Sequence, residues 1–206
     1  MKAALVLVDL QRDFLPGGAL PVPEGDRVVP LANRLARRFD LVVATQDWHP
    51  PDHVSFAVNH PGHSPGDVVT LGEIRQVLWP VHCVQFTLGA SFAADLDAGR
   101  IVRIFAKGTQ REVDSYSGFV DNLRRRSTGL CEYLKDRRVE RLYLLGLATD
   151  YCVRATALDA RSLGFETFLV ADACRGVDLH PGDVQRALTE MQRAGVRLVQ
   201  SEEALS

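Results

Sequence analysis

The chain contains short, wholly apolar segments that end at a polar residue and are followed by helical patterns. The first is Ala3–Val8, which ends at Asp9, and the second is Leu41–Thr45. Continuous apolar runs of this length are typical of strands that are covered on both faces. Their alternation with amphipathic helices predicts an α/β fold, with a parallel sheet and helices on both sides of it.

The same pattern continues to the end of the chain. Further strands are predicted at Ile101–Ala106, Arg141–Leu147, Thr167–Ala171 and Val196–Gln200. Residues 46–96 are rich in Pro, Gly and His and are predicted to be irregular, and long loops of this kind are usually functional. The chain has 206 residues, and neither an internal repeat nor a linker is apparent. We therefore expect a single domain over residues 1–206.

Cysteine usage and charge restrict the setting in which the protein works. The four cysteines have no regular spacing, which indicates reduced thiols and a cytoplasmic location. A net charge of −2 gives no indication of a nucleic-acid partner. The N-terminal apolar run is interrupted by Asp9, and no apolar run has the length of a membrane span. Neither nucleic acid nor membrane is expected as a partner.

A cysteine follows the fourth predicted strand. Cys152 is predicted to lie in the first turn of a helix, among unpaired backbone N–H groups and near the positive end of the helix dipole. These features favour the thiolate, the form that attacks carbonyl carbons. The alternative is that a small cysteine simply packs well there. Asp150, two residues earlier, is predicted to cap the helix.

Two more strands end in a chemically capable residue. Asp9 follows the first strand and Lys107 follows the third. Because the carboxyl ends of parallel strands lie at one edge of a sheet, both side chains should approach Cys152. Asp9 could then remove the thiol proton and Lys107 could stabilise the charges. The alternatives are a structural role for Asp9 as a cap or in a salt bridge with Lys107, and a surface position for Lys107.

A second cluster has the composition of a metal site. Asp47 and His49 alternate in an extended segment, and His82 could supply a third ligand from the far end of the long loop. Two imidazoles and a carboxylate suit Zn²⁺, Fe²⁺ or Mn²⁺. His53 is a candidate fourth ligand. The alternative is that these histidines are simply exposed to solvent.

Five motifs contain the candidate residues and their neighbours. They are Val8–Phe14 (VDLQRDF), Thr45–His49 (TQDWH), Leu78–Cys83 (LWPVHC), Phe105–Thr109 (FAKGT) and Gly146–Val153 (GLATDYCV). Together they resemble the nicotinamidases, the metal-containing members of the isochorismatase-like cysteine hydrolases. The resemblance extends from about Ala3 to Ala173, with the motifs in the order and spacing of that family.

The resemblance implies a three-layer α/β/α sandwich with a six-stranded parallel sheet and a set of site residues. The implied catalytic triad is Asp9, Lys107 and Cys152. One divalent transition metal, Zn²⁺ first and Fe²⁺ or Mn²⁺ otherwise, would be held by Asp47, His49 and His82. A cis peptide would precede Ala148, the backbone N–H groups of Ala148 and Cys152 would form an oxyanion hole, and Phe14, Trp79 and Tyr116 would wall the substrate pocket.

The implied activity is hydrolysis of nicotinamide to nicotinate and ammonia through a thioester, as a step of NAD salvage. Pyrazinamide is a second candidate substrate, and the number of subunits is left open. The nearest alternatives are an isochorismatase or a carbamoyl amidase, which lack the metal trio. A silent binding module would not need Asp9 and Lys107, and a redox role for Cys152 lacks a nearby resolving cysteine.

Overall fold

The computed structural model describes residues 1–205. A six-stranded sheet forms its centre. Its strands are β1 (Lys2–Val8), β2 (Val42–Asp47), β5 (Arg103–Lys107), β6 (Val139–Leu147), β7 (Glu166–Arg175) and β8 (Arg197–Val199). They lie in the order β5-β2-β1-β6-β7-β8 and are parallel throughout. The prediction of a six-stranded parallel sheet is confirmed.

Within residues 1–205, five α-helices cover the two faces of this sheet. They are α1 (Val28–Ala36), α2 (Leu130–Asp136), α3 (Arg154–Ser162), α4 (Asp183–Arg193) and α5 (Ser201–Leu205). The connection from β1 to β2 and the connection from β6 to β7 run toward opposite edges of the sheet. Right-handed crossovers therefore place α1 and α3 on opposite faces. The result is the predicted α/β/α sandwich, and no helix within residues 1–205 is long and apolar enough to cross a membrane.

Central strands are buried on both faces, which explains their uninterrupted apolar sequences. In β1, every residue from Ala4 to Val8 is at most 1% exposed. On the neighbouring strand β6, Gly146 pairs with Val8 of β1. Its φ is +132°, and a Cβ at this position would lie 2.1 Å from the Val8 carbonyl oxygen. Only glycine fits here, and this close approach brings the end of β6 against the end of β1.

The region predicted to be irregular contains an antiparallel hairpin. Its strands are β3 (Val68–Leu71) and β4 (Ile74–Val77), joined by Gly72 and Glu73. The prediction of irregular structure was wrong here, although two β-branched runs around a two-residue Gly-X turn are a recognisable hairpin signal. β7 also continues to Arg175, beyond the predicted end at Ala171.

The position of the functional site follows from the strand order. Chain connections leave β1 and β6, which are neighbours, toward opposite edges of the sheet. In open α/β sheets, ligands bind outside the carboxyl ends of strands at such a switch point. Asp9 follows β1 there, and the turn that carries Cys152 follows β6.

Candidate active site

A cavity lies at this switch point, beyond the carboxyl ends of β1, β2 and β6. Its walls contain the three residues implied to bind substrate and the three implied to bind metal, together with Ala148 and Cys152, but not His53. The lining residues are Phe14, Leu20, Asp47, His49, Trp79, His82, Asp114, Tyr116, Ala148, Tyr151, Cys152 and Val177. Asp9 and Lys107 are fully or almost fully buried just behind this wall.

Lys107 is the centre of the buried charges. Its Nζ lies 2.8 Å from Asp9 Oδ2 and 3.2 Å from Cys152 Sγ. The same ammonium donates to Asp47 Oδ1 and, at 3.0 Å, to the Ser115 carbonyl oxygen. Burial alone would lower the pKa of Lys107, but the carboxylates of Asp47 and Asp9 outweigh it and raise the pKa well above its ordinary value. The lysine is therefore a permanent cation within reach of the thiol.

Asp9 is buried close to the Cys152 sulfur, and its carboxyl group is fixed by hydrogen bonding. Thr45 Oγ1 donates to Asp9 Oδ1 at 2.6 Å, which fixes the carboxyl group. One oxygen each of Asp9 and Asp47 and the Cys152 sulfur lie within 4.8 Å of one another. Burial raises the pKa of Asp9, the nearby Lys107 ammonium opposes the rise, and Asp47 adds to it. A carboxyl group whose pKa is shifted toward neutrality is suited to act as both base and acid.

Cys152 lies in a single π-helical turn, Thr149–Val153, directly before α3. Single π turns of this kind occur frequently at functional sites. Burial raises the pKa of the Cys152 thiol well above its ordinary value, and the Lys107 ammonium offsets only part of this rise. The expectation that the helix start would favour a resting thiolate was therefore wrong. The sulfur needs a base at the moment of attack, and Asp9 is the adjacent candidate.

The residues between β6 and the π turn have a constrained backbone. The peptide bond between Leu147 and Ala148 is cis, as the resemblance implies. The prediction that Asp150 caps the helix was wrong. Its Oδ1 accepts from the Val177 backbone N–H at 3.0 Å and its Oδ2 accepts from that of Asp178 at 2.7 Å. Asp150 thereby attaches the segment after β7 to the turn that carries Cys152.

Contacts with backbone carbonyl oxygens orient the two candidate histidine ligands toward the Asp47 carboxylate. The Nδ1 atom of His49 contacts the Gly108 carbonyl oxygen at 2.9 Å, and that of His82 contacts the Pro80 carbonyl oxygen at 2.7 Å. Both Nε2 atoms therefore point toward Asp47 Oδ2, at 3.5 Å and 3.9 Å respectively. Backbone carbonyls fix the tautomer and orientation of metal-binding imidazoles in this way.

Protonation states in this cluster fit a divalent transition metal. Burial and the neighbouring His49 lower the pKa of His82 to about 4, so this ring is neutral. Burial alone would raise the pKa of Asp47, but Lys107 and His49 hold it below its usual range. Burial alone would lower the pKa of His49, but the Asp47 carboxylate outweighs burial and raises it. Two imidazoles and one carboxylate leave coordination positions open.

Two other groups of potential ligands overlap this cluster. His49, His53 and Asp114 also have donor atoms within 4.8 Å of one another. The nitrogens of His53, however, contact Ser55 Oγ at 2.7 Å and the Val113 carbonyl oxygen at 3.3 Å. The third group, Asp9, Asp47 and Cys152, already surrounds the Lys107 ammonium.

Sequence reasoning missed two residues that position the metal-binding segments. The fully buried side chain of Gln11 accepts from the Asp47 backbone N–H at 2.8 Å and donates to the Asp47 carbonyl oxygen at 2.8 Å. Asp13 Oδ2 accepts from the Cys83 backbone N–H at 2.7 Å, next to His82. Both belong to the motif around Asp9, but only the folded chain brings them to these partners.

The aromatic wall is more extensive than predicted. Trp79 contacts Tyr151 edge to face, with ring centroids 4.8 Å apart, and Tyr116 lies 5.5 Å from the same ring. Neither Tyr151 nor the cavity-lining Asp114 was predicted. Tyr151 precedes Cys152 directly in sequence, so the role predicted for Cys152 could have indicated that Tyr151 also lies at the site. Asp114 has no such signal.

Replacing Gly108 with alanine should weaken metal binding. A Cβ at this position would lie 2.3 Å from His49 Cε1 and 2.6 Å from His49 Nδ1, so the imidazole would have to move. We expect metal affinity to fall by about 10-fold or more, the usual effect of disturbing the orientation of a ligand. Metal content and a chelator competition would measure it.

Gly129→Ala is the matched control for this change. Gly129 also has a positive φ, +87° against +61° for Gly108, but a Cβ there would contact nothing within 4 Å. It should cost about 1 kcal/mol of stability for the backbone conformation and leave metal affinity unchanged. Equal metal affinities in the two variants would contradict the role assigned to His49.

Comparisons with known proteins identify a matching family and relatives of similar sequence and fold. Residues 3–203 match the sequence model of the isochorismatase domain family. The nicotinamidase of Escherichia coli K12 is 48% identical over 199 residues, covering 95% of this chain and 93% of its own. The solved structure of an Acinetobacter baumanii nicotinamidase and pyrazinamidase superposes with a TM-score of 0.95 at 46% identity, covering 98% of this chain and 97% of its own. A Pyrococcus horikoshii pyrazinamidase solved in complex with zinc has a TM-score of 0.80 at 43% identity, covering 97% and 99%.

Proposed function

Because this chain belongs to the isochorismatase family, we propose that it is an amidohydrolase that converts nicotinamide and water to nicotinate and ammonia. One observation carries the proposal. A thiol with an adjacent carboxyl group and a buried ammonium faces the same aromatic-walled cavity as a carboxylate and two imidazoles. The first set suits attack on an amide carbon, and the second suits a metal that binds a ring nitrogen.

In the first half of the reaction, Cys152 is the nucleophile and Asp9 the base. Asp9 takes the thiol proton as the sulfur forms a bond to the amide carbon, and the carbonyl electron pair moves to oxygen. The backbone N–H groups of Ala148 and Cys152 would donate to that oxyanion, and one such donor contributes about 3 kcal/mol. Lys107 stabilises the negative charge on the sulfur as it develops, since its Nζ lies 3.2 Å away.

In the second half, the proton returns and water completes the hydrolysis. Asp9 protonates the departing nitrogen, the carbon–nitrogen bond breaks, and ammonia leaves a thioester on Cys152. Asp9 then takes a proton from a water molecule that attacks the thioester carbon. The carbon–sulfur bond breaks, Asp9 returns its proton to the thiolate, and the nicotinic acid that forms loses its remaining proton to solvent and leaves as nicotinate. This alternation requires a carboxyl group that is readily protonated, which agrees with the raised pKa of Asp9.

Asp47, His49 and His82 would hold one divalent transition metal in this cavity. When bound, the metal supplies a Lewis-acid position for the pyridine nitrogen, which anchors the ring. Zinc is our first candidate, because the Pyrococcus horikoshii relative was solved with it, and Fe²⁺ and Mn²⁺ suit the same donors. Phe14, Trp79 and Tyr116 would enclose the ring.

An ammonia-release assay on nicotinamide, with and without a chelator, tests this function. We expect release by the metal-loaded protein and a fall of about 100-fold or more in kcat/KM after chelation, since a metal centre contributes several kcal/mol. Readdition of Zn²⁺, Fe²⁺ or Mn²⁺ should restore activity in proportion to the metal content measured by mass spectrometry. Full activity in metal-free protein would overturn the metal assignment.

The nearest alternatives are other hydrolases of this superfamily, including isochorismatases and carbamoyl amidases. The trio of Asp47, His49 and His82 favours the nicotinamide activity, because a metal-free reaction has no need of it. Turnover of a carbamoyl amine in place of nicotinamide would identify the alternative.

We further propose pyrazinamide as a second substrate, participation in NAD salvage and a cytoplasmic location, the last supported by four free thiols. The metal trio and the intact Asp9 and Lys107 also disfavour a silent binding module or a redox protein.

A further inference from the structure

The hairpin of β3 and β4 contributes one buried side chain to the rest of the molecule. Of its eight strand residues, only Gln76 is buried, and its exposed fraction is 0%. A polar residue at this position is unexpected, because a strand that rests on the protein body normally buries an apolar side chain. The contacts of Gln76 provide a reason for it.

The side-chain amide of Gln76 points at two residues of the cavity wall. Its Nε2 carries two hydrogens and lies 2.8 Å from the Val77 carbonyl oxygen, 2.9 Å from Asp114 Oδ2 and 3.2 Å from Tyr116 Oη, so the Tyr116 contact shares a hydrogen with one of the shorter two. Its Oε1 is buried and has no hydrogen-bond partner within residues 1–205. An unsatisfied buried oxygen costs free energy. The residue is therefore better explained by what its N–H groups hold than by a contribution to stability.

The groups held by Gln76 form part of a connected wall. Tyr116 Oη also accepts from Trp79 Nε1 at 3.2 Å. Both rings contact Tyr151, at centroid distances of 4.8 Å for Trp79 and 5.5 Å for Tyr116. Trp79, Tyr116 and Tyr151 all line the cavity. Gln76 thus links the hairpin to an aromatic cluster that would otherwise be fixed by ring packing and one hydrogen bond.

We propose that Gln76 is a positioning residue that fixes the aromatic wall and thereby sets which ring carboxamides fit the cavity. The inference deepens the proposed function and rests on it. With Gln76 in place, the wall admits a flat six-membered heteroaromatic ring without additional substituents. Without it, Tyr116 loses one of its two donors, and the wall can move away from a ring that carries an extra methyl group.

Gln76→Leu tests this proposal, and Arg75→Ala is its matched control on the same strand, with an exposed side chain. Kinetics on nicotinamide and 5-methylnicotinamide should be normalised to the number of nicotinate-binding sites found by calorimetry. For Gln76→Leu, we expect the KM for nicotinamide to rise about tenfold with a smaller change in kcat, and the preference for nicotinamide over its methyl derivative to fall by about tenfold. Arg75→Ala should match the wild type.

A double-mutant cycle with Tyr116→Phe separates positioning from a general loss of structure. If Gln76 acts through the Tyr116 hydroxyl, the two substitutions will be non-additive in KM. Additive effects, or unchanged selectivity per active site, would overturn the proposal. Near-ultraviolet circular dichroism supplies a readout that does not depend on turnover, because the clustered rings should lose signal in Gln76→Leu only. An unchanged spectrum in Gln76→Leu refutes the positioning role. If Gln76→Leu alters the spectrum but the wild type releases no ammonia from nicotinamide, the substrate assignment is refuted and the positioning role is not.

Discussion

Replacing Cys152 with alanine is expected to lower ammonia release from nicotinamide by at least about 10⁴-fold, as loss of a nucleophile does in comparable hydrolases. The sulfur is the atom that forms the covalent bond, and the only other nucleophile that the reaction could use is water. Asp9, Lys107 and the proposed oxyanion donors would remain. Some acceleration over the uncatalysed reaction should therefore persist.

Binding should separate this loss from unfolding. The cavity wall and the candidate metal ligands do not depend on the sulfur, so nicotinate affinity in Cys152→Ala should stay within about threefold of the wild type. Cys131→Ala is the control, because Cys131 is a free, half-buried thiol on α2 outside the cavity lining. It should keep full activity. Turnover by Cys152→Ala at a substantial fraction of the wild-type rate would rule out covalent catalysis by this residue.

The predicted strand ends explain why the candidate catalytic residues could be found before the structure. Asp9 and Lys107 each end an apolar strand, and Cys152 begins the helical segment after another. Parallel pairing alone brings such positions to one edge of the sheet. The prediction required only the order of polar and apolar residues, which is a local property of the sequence.

The connection between the two predicted clusters could not be found in this way. Asp47 was assigned to the metal and Lys107 to the catalytic triad, but β2 and β5 pair so that these residues are directly opposite each other. Lys107 Nζ therefore contacts the carboxyl groups of both Asp9 and Asp47. The contact depends on the register of two strands that are about 60 residues apart in sequence. A continuous apolar run, unlike an alternating one, has no pattern that distinguishes one register from the next.

The remaining site residues could not be predicted because their partners are distant in sequence. Gln76 and Asp114 lie in segments whose sequences suggest only turns or exposed strands, and their contact joins residues 38 positions apart. Asp150 appeared to be a helix cap because it precedes a helix, yet its carboxylate accepts from the backbone after β7. In each case the partner is a backbone or side-chain group that becomes adjacent only after the sheet has formed.

Lys107→Met should reduce both activity and stability, because Lys107 is the shared counter-charge of two buried carboxyl groups. Its side chain is 0% exposed, as is that of Asp9, and that of Asp47 is 6% exposed. Removing one partner of a buried ion pair typically costs about 3–5 kcal/mol, since it leaves an uncompensated charge. Urea unfolding of the metal-free protein should show this loss. Ammonia release should fall by about 10³-fold, because the charge that stabilises the attacking sulfur is gone.

Two comparisons make the expected result specific to the buried charge. Lys135→Met removes a lysine from the exposed face of α2 and should change the free energy of unfolding by no more than about 0.5 kcal/mol. Lys107→Met combined with Asp9→Asn should be more stable than Lys107→Met alone, because the second change removes one of the two uncompensated carboxylates. If the double variant were less stable by the sum of the single effects, Lys107 and Asp9 would be acting independently. The catalytic role of Lys107 would then have to rest on its contact with Cys152 alone.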